Sequence, residues 1–144
     1  MTLLQTLLTQ AKMQDALLFR SATLNEAQSL SIALVKAGFP RIPRDYLKFL
    51  ELSDGLLWNE LELFSCGTHE RAGTVFNQPE ILNYQTKYAT GQFFSKRLVL
   101  GRATECLVCY ESQNRCYELI DRNSLTVMLK FPRFEDLLYQ VMTI

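Results

Sequence analysis

Apolar positions recur every three to four residues in the first third of the chain, then at every second residue or in short runs through much of the rest. That change of period predicts helices first and strands later. Leu3, Leu4, Leu7, Leu8 and Ala11, with Leu17 and Leu18 beyond them, trace an amphipathic helix over residues 3 to 19, bent or broken near Gln14-Asp15. Thr23-Leu24-Asn25-Glu26 matches a capping box, with Thr23 as N-cap, and the helix it starts runs to Ala37 with Gly38 just past its end. Pro43 suits the first position of a third helix, where no N–H donor is needed. Tyr46, Leu47, Phe49 and Leu50 give that helix a broad apolar face as far as Leu52.

Ser53-Asp54-Gly55 then offers a glycine able to take the left-handed conformation that stops a helix. Beyond it Leu57, Asn59, Leu61 and Leu63 alternate with Trp58, Glu60 and Glu62, which predicts one half-buried strand. Residues 66 to 74, with Gly67, Gly73 and the only histidine, His69, read as a surface loop. Pro79-Glu80 opens a short helix along Ile81, Leu82, Gln85 and Tyr88. Residues 89 to 95 form a loop around Gly91, with Phe93-Phe94 turned into the body. Strands follow at Leu98-Val99-Leu100 (ended by Gly101), 105 to 111, 115 to 120 and 125 to 130, joined by short turns that imply an antiparallel meander. Phe134, Leu137, Leu138 and Val141 mark a closing helix. The expected class is α+β: a single domain over residues 1–144, a mostly antiparallel mixed sheet packed against N-terminal helices, with a C-terminal helix.

Composition narrows the function classes. The 144 residues suit one domain with a core that needs no staples. Fifteen basic and fifteen acidic residues give no net charge, which argues against binding nucleic acid or anionic membrane by bulk electrostatics. No direct nucleic-acid or membrane partner is expected, and the low net charge leaves both monomer and dimer open. The first residues carry no basic segment followed by an apolar run, and no stretch reaches the length of a membrane span. A cytoplasmic location is therefore expected, with Cys66, Cys106, Cys109 and Cys116 as free thiols.

The candidate chemistry is sparse. Cys106-Leu107-Val108-Cys109 has metal-ligand spacing, but a strand points residues three apart to opposite faces. His69-Glu70 lacks the second histidine of a zinc-protease motif, and a Cys–His pair through Cys66 rests on one histidine in a loop. No catalytic residue, cofactor or metal is expected. Glu60 and Glu62, on one strand face near Glu51 and Asp54, could do acid–base work, although solvated carboxylates are the commoner case. Charge is segregated locally. From Glu51 to Glu62 there are acids and no base, while Lys36, Arg41, Arg44 and Lys48 precede them with only Asp45 opposing. Such a run is either ordinary surface or a face that recognises a charged protein. Trp58 beside it is either a core anchor or an interface anchor. The candidate protein-binding residues are Glu51, Asp54, Trp58, Glu60 and Glu62.

Ile42-Pro43-x-x-Tyr46-x-x-Phe49-Leu50, then Ser53-Asp54-Gly55 and a Trp-containing strand, resemble the SUKH superfamily of bacterial immunity proteins and fungal cell-wall-synthesis regulators. Leu98-Val99-Leu100-Gly101, the strands around Tyr110 and Tyr117, Asp121, and Phe131 to Leu138 follow the same order. Many members carry a second glycine where this chain has Leu56, which points to a divergent branch such as the YrhA-like one. The resemblance implies a mixed sheet against helices, and fold-making roles for Pro43, Tyr46, Phe49, Leu50 and Gly55. It implies a non-enzymatic binding function: neutralisation of a cognate protein toxin of the nuclease or deaminase type or, in the alternative, regulation or scaffolding of host proteins. Partner contacts vary between members, so no contact residue carries over.

Overall fold

In a computed structural model the chain is described over residues 1–67, 69–71, 74–76 and 80–143, with residues 69–71 and 74–76 described by backbone alone. The first element, α1 (Leu3–Met13), starts from a Thr2–Gln5 capping box. It ends where Asp15 takes a φ of +66°. Leu17 and Leu18 are therefore not a second half of the helix but a short strand, β1 (Leu17–Leu18). The helix α2 (Leu24–Lys36) has the expected Thr23–Glu26 capping box, and Gly38 beyond it has a φ of +91°. In α3 (Arg44–Leu52) Pro43 is the N-cap, one position earlier than expected.

The predicted single strand after Gly55 is a hairpin, β2 (Leu56–Trp58) and β3 (Leu61–Leu63), in which Trp58 faces Leu61 and Leu56 faces Leu63. Asn59, at a φ of +54°, turns the chain. The predicted 66–74 loop likewise contains strands, β4 (His69–Arg71) and β5 (Thr74–Phe76), paired as a separate hairpin. Pro79 lies outside the described residues, and α4 (Ile81–Tyr88) has Glu80 as its N-cap. A 3₁₀ turn (Gln92–Phe94) precedes the meander β6 (Arg97–Arg102), β7 (Cys106–Glu111), β8 (Cys116–Asp121) and β9 (Val127–Phe131). The last element is α5 (Phe134–Met142). The chain is thus α+β. Its main sheet runs β1-β2-β3-β6-β7-β8-β9, and every neighbouring pair in it is antiparallel.

An aromatic cluster joins α3 and α5 to one sheet face. Phe134 meets Tyr46 edge-on at 5.0 Å between ring centroids, with Phe49 and Tyr117 each at 5.8 Å. The Tyr46 hydroxyl donates to the Phe64 carbonyl at 2.5 Å, and the Leu100 carbonyl lies 3.1 Å away. Complete burial pushes this phenol well above its usual range, so it stays a donor. Across the sheet, Glu118 is 1% exposed and is held by Arg97 at 2.8 Å, whose guanidinium also lies 4.2 Å from the Phe93 ring centroid.

Gly101 does not end β6 as expected but sits inside it, past an irregularity in the pairing with β7. A Cβ there would lie 2.6 Å from the Glu62 carbonyl oxygen, so only glycine lets β3 approach β6 this closely. Their pairing covers only Arg102 and Gly101. Farther down, buried Gln85 of α4 replaces a strand: its oxygen accepts the Val99 N–H at 2.8 Å and its nitrogen donates to the Arg97 carbonyl at 3.0 Å. A helix side chain thus satisfies backbone groups that a longer β3 would have paired.

Candidate functional site

Ser53-Asp54-Gly55 is a buried structural tie. Ser53 leaves α3 with extended backbone, and its hydroxyl accepts the Phe19 N–H at 2.9 Å and donates to the Gly55 carbonyl at 2.6 Å. The Asp54 N–H donates to the Arg20 carbonyl, and the Asp54 carboxylate accepts the Cys66 N–H at 2.8 Å. Gly55 has a φ of +108°, where a side chain is disfavoured, so it is the turn after the helix that requires glycine and not the helix end itself. Asp54 is 0% exposed and so cannot present its charge to a partner in this conformation.

The remaining predicted acids do not share a face either. Glu51 is exposed at the end of α3, in a depression shared with Lys48 and Arg133. Glu62 is bound to Arg102 at 2.7 Å, and that guanidinium lies 5.6 Å from the Tyr84 ring centroid. Glu60 sits in the β2–β3 turn and accepts a hydrogen bond from the Thr104 hydroxyl. The expectation that Glu60 and Glu62 lie on one strand face is thereby corrected. The turn between β2 and β3 breaks the alternation on which it rested.

Trp58 and Glu60 do meet, in a groove of about 920 Å³ at the open end of the sheet face covered by α5. Its apolar lining comes from Leu61, Leu119 and Leu129 of the sheet and from Val141 and Met142 at the end of α5. Met128 and Leu129, on the edge strand β9, are 47% and 45% exposed. Trp58 is half-buried and donates its indole N–H to the Gln14 carbonyl at 3.2 Å. It therefore acts as an anchor between the hairpin and α1 while also lining the groove. Glu60 and Glu105 are the charged members among the described lining residues, and Arg122 lies just behind them, donating to the Ala103 carbonyl at 2.8 Å. Sequence reasoning missed Glu105 and the β9–α5 wall. The available signal was the uninterrupted Val127-Met128-Leu129 run, too apolar for a strand with a solvated face.

The thiols are chemically quiet. Cys109 is fully buried and burial pushes its thiol far up, while Cys66 is pushed up to about 12, first by burial and then by the Asp54 charge. Cys109 stands beside Val99 and Glu118 in the ladder and Cys106 beside Asp121, with uninterrupted pairing of β7 and β8. The two thiols accordingly point to opposite faces. Among the described residues no three histidines, cysteines or carboxylates gather where they could hold a metal ion. The His69 side chain, and with it a Cys66–His69 pair, lies outside the described residues. Among the described residues no helix is long and apolar enough to cross a membrane.

No protein-family model matches the chain, and no curated protein matches it.

Proposed function

We propose that this chain is a non-enzymatic, cytoplasmic protein-binding domain of the SUKH type, acting as an immunity protein that neutralises a cognate toxin of nuclease or deaminase chemistry. The observation that carries the binding reading is the groove beside Trp58. Exposed Met128 and Leu129 share its lining with a half-buried tryptophan, and Glu60 and Glu105 are the charged residues described there. Apolar residues exposed together around an aromatic anchor are what a protein interface needs at its centre. Carboxylates in the lining suit a basic partner, and nucleases that grip a phosphate backbone carry basic surfaces. The toxin-directed part of the reading rests on the resemblance described above.

The test is co-expression with the protein encoded beside this one. Protection of growth, together with a stable complex of the two purified chains, is the expected result. A neighbouring protein that is not toxic, or toxicity undiminished by co-expression, would contradict the immunity role. Capture of a housekeeping protein through the same groove would then support the regulatory alternative.

A further inference from the structure

The helix α2 carries two apolar stripes, and the fold covers only one. Ala27, Leu30 and Leu34 are buried in the core. Leu24, Ile32 and Val35, one helical step around, are 70%, 57% and 56% exposed. Their spacing of eight and three residues keeps them on one side of the helix, with Gln28 and Ser31 between them. Facing this stripe is the segment from Arg41 to Leu47, tied back to α2 by the Ile42 N–H donating to the Ser31 hydroxyl at 3.3 Å. Between them lies a groove of about 650 Å³, floored by Ala27, Ile42 and Leu47.

The charged residues among the described lining of this groove are all basic. Lys36, Arg41 and Arg44 line it, each exposed, and no carboxylate is among its lining residues. None of the three belongs to an ion pair among the described residues. Glu26, the carboxylate of α2, is occupied by Arg20 at 2.8 Å. A second copy docked through the same surface would bring like charges together, which disfavours a two-fold dimer across this groove. The concave shape favours a rod over a flat bilayer. From Leu24 to Val35 the stripe spans about 16 Å, or three helical turns.

We propose that this groove is a second docking site, and that it receives an acidic amphipathic α-helix of a protein partner. The helix would lay leucine-like side chains on Ile32, Val35 and the Ala27–Ile42–Leu47 floor, with its carboxylates against Lys36, Arg41 and Arg44. The site is independent of the groove beside Trp58 and does not depend on the immunity reading.

A panel of fluorescently labelled helical peptides of about 16 residues tests it, each with one leucine stripe and glutamates elsewhere, alongside twins with lysine for glutamate. The full chain is expected to bind glutamate peptides saturably and at least about tenfold more tightly than their lysine twins. Ile32→Glu or Val35→Glu, at exposed positions that the fold tolerates, should each weaken binding about tenfold or more. Arg41→Glu with Arg44→Glu should invert the charge preference; a glutamate at position 44 also suits the start of α3. Glu60→Lys with Glu105→Lys should leave peptide binding unchanged, which separates this site from the first. Failure of every glutamate peptide, equal binding of the two sets, or indifference to both α2 substitutions overturns the proposal. So does binding to vesicles of anionic phospholipid in place of the peptides.

Discussion

The two grooves are built from similar apolar side chains and carry opposite charge. The groove beside Trp58 lies at the end of a sheet, walled by the edge strand β9 and the end of α5, with Glu60 and Glu105. The groove on α2 lies between a helix and the segment leading into α3, with Lys36, Arg41 and Arg44. A chain with no formal net charge thus lines two concave surfaces with a few charges of opposite sign. Neutral bulk charge excludes bulk electrostatic binding, but it leaves local recognition open to partners of either sign.

The largest effect is expected beneath the α2 groove, in the buried stripe. Leu34 belongs to the buried stripe of α2 and is 0% exposed, whereas Val35 beside it belongs to the open stripe. Leu34→Ala should cost about 2–5 kcal/mol of stability, read as a lower denaturant midpoint. Val35→Glu should change it by about 0.5 kcal/mol or less. Equal losses would mean that the second stripe is covered in solution.

Gly101→Ala should act next most strongly and on one groove only. Its Cβ would press on the Glu62 backbone, forcing β3 away from β6 and shifting the hairpin that carries Trp58 and Glu60. A loss of about 2–3 kcal/mol is expected, with a change in Trp58 fluorescence in the folded protein. Binding of glutamate peptides to α2 by the molecules still folded should be unchanged.

Why the second groove escaped the sequence and the first was only half seen follows from particular residues. The capping box at Thr23, the helix before Gly55 and the strand runs of the meander were legible because each is set by neighbours in the chain. The two-residue turn at Asn59-Glu60 was not, because it switches which positions share a face. Leu56 and Trp58 lie with Leu61 and Leu63, so a run that alternates in sequence does not alternate in space. Asp54 read as a surface acid because nothing local shows that the Cys66 N–H, twelve residues on, binds its carboxylate. On α2 apolar residues fall on more than one side of the helix, and only tertiary packing decides which are covered.

Acid and alkali should also distinguish the two regions, with smaller effects. Cys66, pushed up to about 12, sits in the shared body beside Asp54. A raised thiol stabilises the fold fully below its unfolded pKa of about 8.5 and loses that contribution as pH rises toward 12. Unfolding midpoints should therefore hold to about pH 8 and fall above about pH 9, with both grooves lost together, and Cys66→Ser should flatten part of that decline. Glu26 lies at the start of α2 alone, and Arg20 holds its carboxyl down to about 2. Its contribution is present above its unfolded value of about 4.3 and disappears as pH falls toward 2. Close to solvent and screened, it amounts to about 1 kcal/mol or less. Glu26→Gln should remove this small acid-side loss and leave the alkaline side as it was.

If the groove beside Trp58 receives the toxin proposed above, its carboxylates should steer the encounter. The most direct measurement is the association rate between this chain and the purified toxin, for wild type and for Glu60→Lys with Glu105→Lys, at low and at physiological salt. Charges of this kind act over a Debye length of about 8–10 Å and mainly on the rate of encounter. The charge reversal should slow association by about tenfold or more at low salt, the gap should narrow as salt is added, and the unfolding midpoint should barely move. Association as fast as wild type at low salt would contradict this steering and direct attention to the basic groove on α2.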